Sequence, residues 1–228
     1  GLGDVYKRQV QACEDVISEC KKRAAMTWGV DEDQVVWEDG QVLPAPGLNA
    51  DVTPMTLADV AAGAAKTGGP IQGRASVNAQ GAGPGFSVNF TDMKVDRETG
   101  KVDVLSFTAI QDAGTAIHPS YVEGQMQGGA AQGLGWALNE EYIFDDNGVM
   151  ENAGFLDYRI PVASDLPMID TQIIEVPNPS HPYGVRGVGE TPIVAPLAAT
   201  SNAVSRAAGK RLTDLPLSPP NVLAALDE

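Results

Sequence analysis

From Gly124 to Gly135 the chain reads Gly-Gln-Met-Gln-Gly-Gly-Ala-Ala-Gln-Gly-Leu-Gly, five glycines in twelve positions. A glycine inside a helix costs roughly 1 kcal/mol relative to alanine, so this density needs a reason. One reason is close packing of a helix on a sheet. The other is a helix start whose bare N–H groups at Gly124 and Gln125 carboxamide face a polar, anionic ligand. A second segment, Gly184-Val185-Arg186-Gly187-Val188-Gly189-Glu190-Thr191-Pro192, sets a carboxylate at the start of a helical stretch. Glu190 is there either as a first-turn carboxylate favoured by the helix dipole or as a general base. Its glycines run G-x-x-G-x-G, not the G-x-G-x-x-G of a dinucleotide-binding turn, and no lysine completes a phosphate loop.

Other chemistries find less support. His118 and His181 each precede proline, which holds them extended or in a turn. Neither has a second metal ligand three or four residues on, so no zinc site is expected. Asp157-Tyr158-Arg159 reads as a polar loop, and no Ser–His or Cys–His pair has a local nucleophile signature. Thirty acidic against 15 basic residues give a net charge of −15, which argues against nucleic acid. No run approaches the roughly 18 apolar residues of a membrane span. Cys13 and Cys20 are seven apart in a helical pattern, about 10 Å by helix rise and beyond the roughly 7 Å reach of a disulfide. The chain therefore reads as reduced and cytoplasmic, a periplasmic address being left open by a start without methionine or leader.

The elements that must position these residues are legible in part. Residues 1–9 have no usable periodicity and read as a fragment-end or non-native segment. Val10, Cys13, Val16, Ile17, Cys20 and Ala24 then fall at helix spacing. Val35–Trp37 and Gln41–Leu43 flank a turn, and Thr56 with Asp59 forms a capping box for a helix running to about Lys66. The stretch from Gly68 to Gly85 reads as loop, with one strand near Arg74 to Ala79. Phe86 to Asp96 and Lys101 to Gln111 form a hairpin across Arg97-Glu98-Thr99-Gly100. A helix from Tyr121 to Leu138, strands at Glu141–Phe144 and Thr171–Val176, and a helix from Glu190 to Ala208 with Pro192 in its first turn complete the reading. Helices and strands mix without regular alternation, which predicts an α+β fold with mostly antiparallel strands. Three regions are expected: 1–9, 10–83 and 84–228.

In these motifs taken together, the chain resembles the molybdenum hydroxylases, the xanthine dehydrogenase, aldehyde oxidase and carbon monoxide dehydrogenase superfamily. The resemblance rests on Asp112-Ala113-Gly114, Ile117-His118-Pro119, Glu123-Gly124-Gln125, Gly128-Gly129, Gln132-Gly133 and Gly135. Tyr158, Ile160-Pro161, Gly187-Val188-Gly189-Glu190 and Pro192 follow in the same order. It covers about residues 84 to 226 and implies a C-terminal fragment of the large molybdopterin-binding subunit. His118 and Thr191 stand where the family usually has asparagine and a proline or small residue. The resemblance implies Glu190 as catalytic base, Gln125, Gly124 and Gly189 as cofactor-binding, and no side-chain ligand to molybdenum. It implies a molybdenum-molybdopterin cofactor, in the simple or the cytosine dinucleotide form, and a reaction that hydroxylates carbon with oxygen from water. Its implied partners are the missing N-terminal part of the subunit, iron–sulfur clusters and FAD in other segments or subunits, and a small-molecule substrate. A non-catalytic cofactor-binding or assembly module of the same fold is the alternative, and Glu190 favours the enzyme.

Overall fold

The helical spacing that begins at Val10 belongs to a longer helix, α1 (Leu2–Trp28), in a computed structural model that describes residues 2–48, 51–78 and 83–227. Val5 and Tyr6, in its early turns, are exposed. Cys20, Ala24 and Ala25 bury with Val35 of β1 (Val35–Glu38) and Val42 of β2 (Gln41–Pro44). The two strands pair antiparallel across Asp39 and Gly40, both at positive φ, and β3 (Met55–Thr56) adds to β2. Both cysteines are free.

The expected capping box opens α2 (Leu57–Ala62). Asp59 N–H donates to Thr56 Oγ1 at 3.2 Å, and Thr56 N–H to Asp59 Oδ2 at 2.9 Å. The Thr56 hydroxyl and N–H bonds hold the Asp59 carboxyl below its ordinary range. The helix stops at Gly63 and resumes as α3 (Ala64–Thr67), one helix having been expected. The strand expected near Arg74 is absent over 74–78, and Ala79 lies outside the described residues. The Arg74 N–H donates to the Asp15 carboxylate at 2.8 Å instead of to a ladder.

The chain divides into two compact units, Gly1–Gly81 and Ala82–Glu228. In the second, β4 (Phe86–Val95) and β5 (Val102–Asp112) form the expected antiparallel hairpin. Asp96 Oδ1 accepts from the N–H groups of Glu98 and Thr99, and Gly100 takes the φ of +70° that closes the turn. Next come α4 (Pro119–Leu138), β6 (Ile169–Ile174), α5 (Thr191–Ala208) and α6 (Pro219–Asp227). β6 lies parallel to β5, the one parallel pairing in an otherwise antiparallel set among the described residues. Phe107, Ala109 and Ile169 on the inner face of this sheet bury against Met126, Ala130 and Leu134 of α4. A second cluster joins Ala137, Val204, Leu217 and Val222 where α4, α5 and α6 meet. The fold is α+β.

The strand expected at Glu141–Phe144 reduces to a single bridge between Phe144 and Met150. The Asn152 side chain takes the place of a ladder: its Oδ1 accepts from Ile143 N–H at 2.9 Å and its Nδ2 donates to Glu141 O at 2.6 Å. Among the described residues no helix is long and apolar enough to cross a membrane.

Candidate functional site

The glycines of α4 sort by face. A Cβ on Gly129 would lie 2.5 Å from Pro192 Cγ, and one on Gly133 2.6 Å from Ile193 O and 2.8 Å from Pro196 Cβ. Close packing is therefore real, but the partner is helix α5 rather than the sheet that the sequence suggested. Gly124 and Gly128 have nothing within 4 Å of such an atom. They share an exposed stripe with Tyr121, Gln125, Gln132 and Trp136, at intervals of three and four residues. Gln127, one residue before Gly128, is tied to Ile169 O at 3.1 Å. The carboxamides of Gln125 and Gln132 have no hydrogen-bond partner among the described residues.

The segment before α5 is brought to this stripe by a series of bonds from the sheet side. Tyr183 and Gly184 both adopt positive φ, turning the chain back toward β5. Thr115 N–H donates to Gly184 O at 3.0 Å and Arg186 N–H to Ala113 O at 3.0 Å, so the segment runs antiparallel to the end of β5. The Arg186 guanidinium lies 3.0 Å from Asp112 Oδ2, with the two side chains 12% and 11% exposed. It also donates to Pro84 O and Val176 O, while Asp112 Oδ1 accepts from Gly114 and Val176 N–H. Both carboxylate oxygens, the Nε and the Nη1 of this pair thus have partners, which is how a nearly buried charge pair is tolerated.

Beyond Arg186, Gly187 O accepts from Gln111 Nε2 at 3.3 Å and from Thr191 Oγ1 at 3.2 Å. Gly187, like Gly124 and Gly128, has open space where a Cβ would stand. Glu190 occupies the N-cap position of α5 with Pro192 in the first turn. Its side chain makes no capping bond, is exposed, and has no ion-pair partner among the described residues. A capping role therefore leaves it unexplained. Gln125 Oε1 lies 3.5 Å from where a Cβ of Gly189 would be, so the two motifs meet although 65 positions separate Gln125 from Glu190.

All four residues expected at the site, Glu190, Gln125, Gly124 and Gly189, are exposed. Gly128 and Gly187 join them as bare backbone. The spacing of Gly124 and Gly128, four apart on a helix, could have pointed to the first; nothing local marks the second. Gln111 and Ser87, which tie the segment from below, read in the sequence only as hairpin residues. His118 stacks on Tyr121 at 4.0 Å between ring centroids, and no group of three or more His, Cys, Asp or Glu gathers as a metal site among the described residues.

Residues 9–167 match the family model described as the molybdopterin cofactor-binding domain. The xanthine dehydrogenase molybdenum-binding subunit of Escherichia coli O157:H7 is 37% identical over 169 residues, which are 72% of this chain and 22% of that protein. The carbon monoxide dehydrogenase large chain of Afipia carboxidovorans is 37% identical over 122 residues, 54% of this chain and 15% of that one. Among solved structures, quinoline 2-oxidoreductase from Pseudomonas putida 86 is similar with a TM-score of 0.77 at 28% identity, over 93% of this chain and 28% of that chain. The chain thus spans less than a quarter of the length of these two curated relatives, at 22% and 15%.

Proposed function

The chain belongs to the molybdopterin cofactor-binding domain family, and from that premise we propose that it is part of the large catalytic subunit of a xanthine dehydrogenase-type molybdenum hydroxylase. The observation that carries the reading is the meeting of the Gln125 carboxamide with Gly189, beside an unpaired Glu190. The residues present suit the cofactor. Bare backbone at Gly124, Gly128 and Gly187 leaves room for a large polar group, and Gln125 offers it both a donor and an acceptor. The start of α5 adds a partial positive charge beside Gly189, which favours an anionic group.

When bound, the molybdenum cofactor supplies a two-electron redox change and Lewis acidity. Insertion of a water-derived oxygen into a substrate C–H bond releases two electrons and two protons. Glu190 takes one of those protons on a carboxylate oxygen; a base so positioned is worth about 10²–10⁴-fold in rate. The segment 184–190 carries Glu190 to the face of α4 that bears Gln125, whose carboxamide would hold the cofactor there. Iron–sulfur clusters and FAD in partner segments or subunits would accept the two electrons. The cofactor is either the simple molybdopterin form or its cytosine dinucleotide.

In this reading residues 84–228 carry the catalytic glutamate, and residues 10–83 belong to the preceding part of the cofactor-binding region. The rest of the subunit covers what is left apolar. Phe86 and Phe90, each 61% exposed, stand with Val88 on the outer face of the β4–β5–β6 sheet, and Phe155 and Leu156 are exposed in the loop after α4. Apolar surface of this extent supports burial against further polypeptide.

The test is Glu190→Gln in the assembled subunit. The amide keeps shape and hydrogen bonding but cannot take the proton, so turnover falls at least about a hundredfold while folding and molybdenum content persist. Near-normal turnover by the folded, molybdenum-loaded variant overturns the assignment of Glu190 as the base, while absence of turnover in the unsubstituted, molybdenum-loaded subunit leaves the non-catalytic module.

A further inference from the structure

The inner face of β5 is apolar at Phe107 and Ala109, and then turns polar at Gln111, which is 1% exposed. Packing alone would favour a methionine or leucine there. The Gln111 side chain spends one amide N–H on Gly187 O and leaves its Oε1 without a hydrogen-bond partner. A buried group only half satisfied is a cost to the fold, so its retention calls for a compensating role. Its cross-strand neighbour in the sheet register is Ser87, whose hydroxyl donates to Thr191 O at 3.3 Å. Asp112, next along β5, holds Arg186. Three sheet residues thus grip the chain at 186, 187 and 191, on both sides of Glu190.

We propose that Gln111, together with Ser87 and the Asp112–Arg186 pair, is a positioning device that fixes the Glu190 carboxylate relative to Gln125. The proposal rests on the reading of Glu190 as the base. The bonds of Gln111 and Ser87 end on the backbone of 187 and 191, and Asp112 reaches the segment through the Arg186 side chain. What they set is the path of the turn, which otherwise consists of glycines at 184, 187 and 189 with little stiffness of their own.

The substitution Gln111→Met separates positioning from structural support. Methionine keeps the volume, removes the unpaired amide oxygen and removes the tie to Gly187. A purely structural Gln111 predicts unchanged turnover per bound molybdenum. A positioning Gln111 predicts a loss of about 10- to 100-fold in kcat per molybdenum in the assembled enzyme, with KM and the unfolding midpoint held. The second readout uses the 228-residue chain without cofactor: amide hydrogen exchange at Arg186 and Ile193, whose N–H groups donate to Ala113 O and Glu190 O, should quicken about tenfold or more while the rest of α5 keeps its protection. Ser87→Ala, at a half-buried position on the other side of Glu190, repeats both measurements should Gln111→Met fail to fold. Unchanged kcat per molybdenum with unchanged exchange at Arg186 and Ile193 overturns the proposal. Should Glu190→Gln keep its turnover, the base reading falls by itself, and the exchange measurement still decides whether the sheet holds the turn.

Discussion

One helix carries two kinds of glycine. On one face of α4, Gly129 and Gly133 bring its backbone against Pro192, Ile193 and Pro196 of α5 so closely that no Cβ fits. On the other face, Gly124 and Gly128 touch nothing, beside two glutamines without partners. The first pair is explained by packing: helices that meet through glycine and proline approach closely and hold the start of α5, and hence Glu190, against α4. The second pair has no packing to explain it. Bare backbone at a helix surface weakens the helix, and such weakness is tolerated where something else must come close. The same residue type thus answers two physical needs a few ångströms apart, and only the neighbours tell them apart.

The same substitution made on both faces of α4 tests this difference most directly. Gly133→Ala drives a methyl into the Ile193 carbonyl and the Pro196 ring, and overpacking of this kind should destabilise the chain by about 1–3 kcal/mol in urea unfolding. Gly128→Ala meets open space and should stabilise the cofactor-free chain by about 0.8–1 kcal/mol, the ordinary difference in helix propensity. In the assembled subunit that variant should hold less molybdenum. Two effects of the same sign would dissolve the distinction between the faces, and full molybdenum loading of Gly128→Ala would remove the ligand from the open one.

A smaller effect is expected where the packed face ends. Gly135 sits against Pro161 and the Glu140 carboxylate, and Tyr158 OH donates to Glu140 Oε2 at 2.8 Å. Desolvation first, then the bond to Glu140, pushes the Tyr158 phenol up to about 12. A group whose folded value lies above its unfolded value of about 10 adds stability below pH 10 and loses it as pH rises through about 12. Absorbance at 295 nm should therefore show one of the five tyrosines ionising late, and Tyr158→Phe should remove that late step. A normal titration of all five would show that this end of the helix is open to water.

The readable parts of the chain were those whose causes are local. The Thr56–Asp59 box lies within four residues, the Asp96–Gly100 turn within five, and Pro192 marks a helix start by its own missing N–H. The strand expected at Glu141–Phe144 went wrong for the complementary reason. Its apolar run is genuine, but Asn152, eight residues beyond Phe144, supplies the bonds that a neighbouring strand would have made. The break at Gly63 shows the same limit: periodicity carried across a glycine that serves as the C-cap of α2 and the N-cap of α3.

Sequence alone determined the composition of the site: a carboxylate after alternating glycines, a glutamine on a glycine-rich helix, and an order of motifs specific enough to indicate the family. Tertiary structure decided which glycines are contacts and which are openings, because that depends on atoms 60 or more positions away, such as Pro192 against Gly129. It also decided how Glu190 is held. The bond from Gln111 to Gly187 spans 76 residues and the Asp112–Arg186 pair spans 74. No local preference encodes such distances. They follow only once burial has fixed β5 beneath the turn, and a buried amide or ion pair then has one partner within reach.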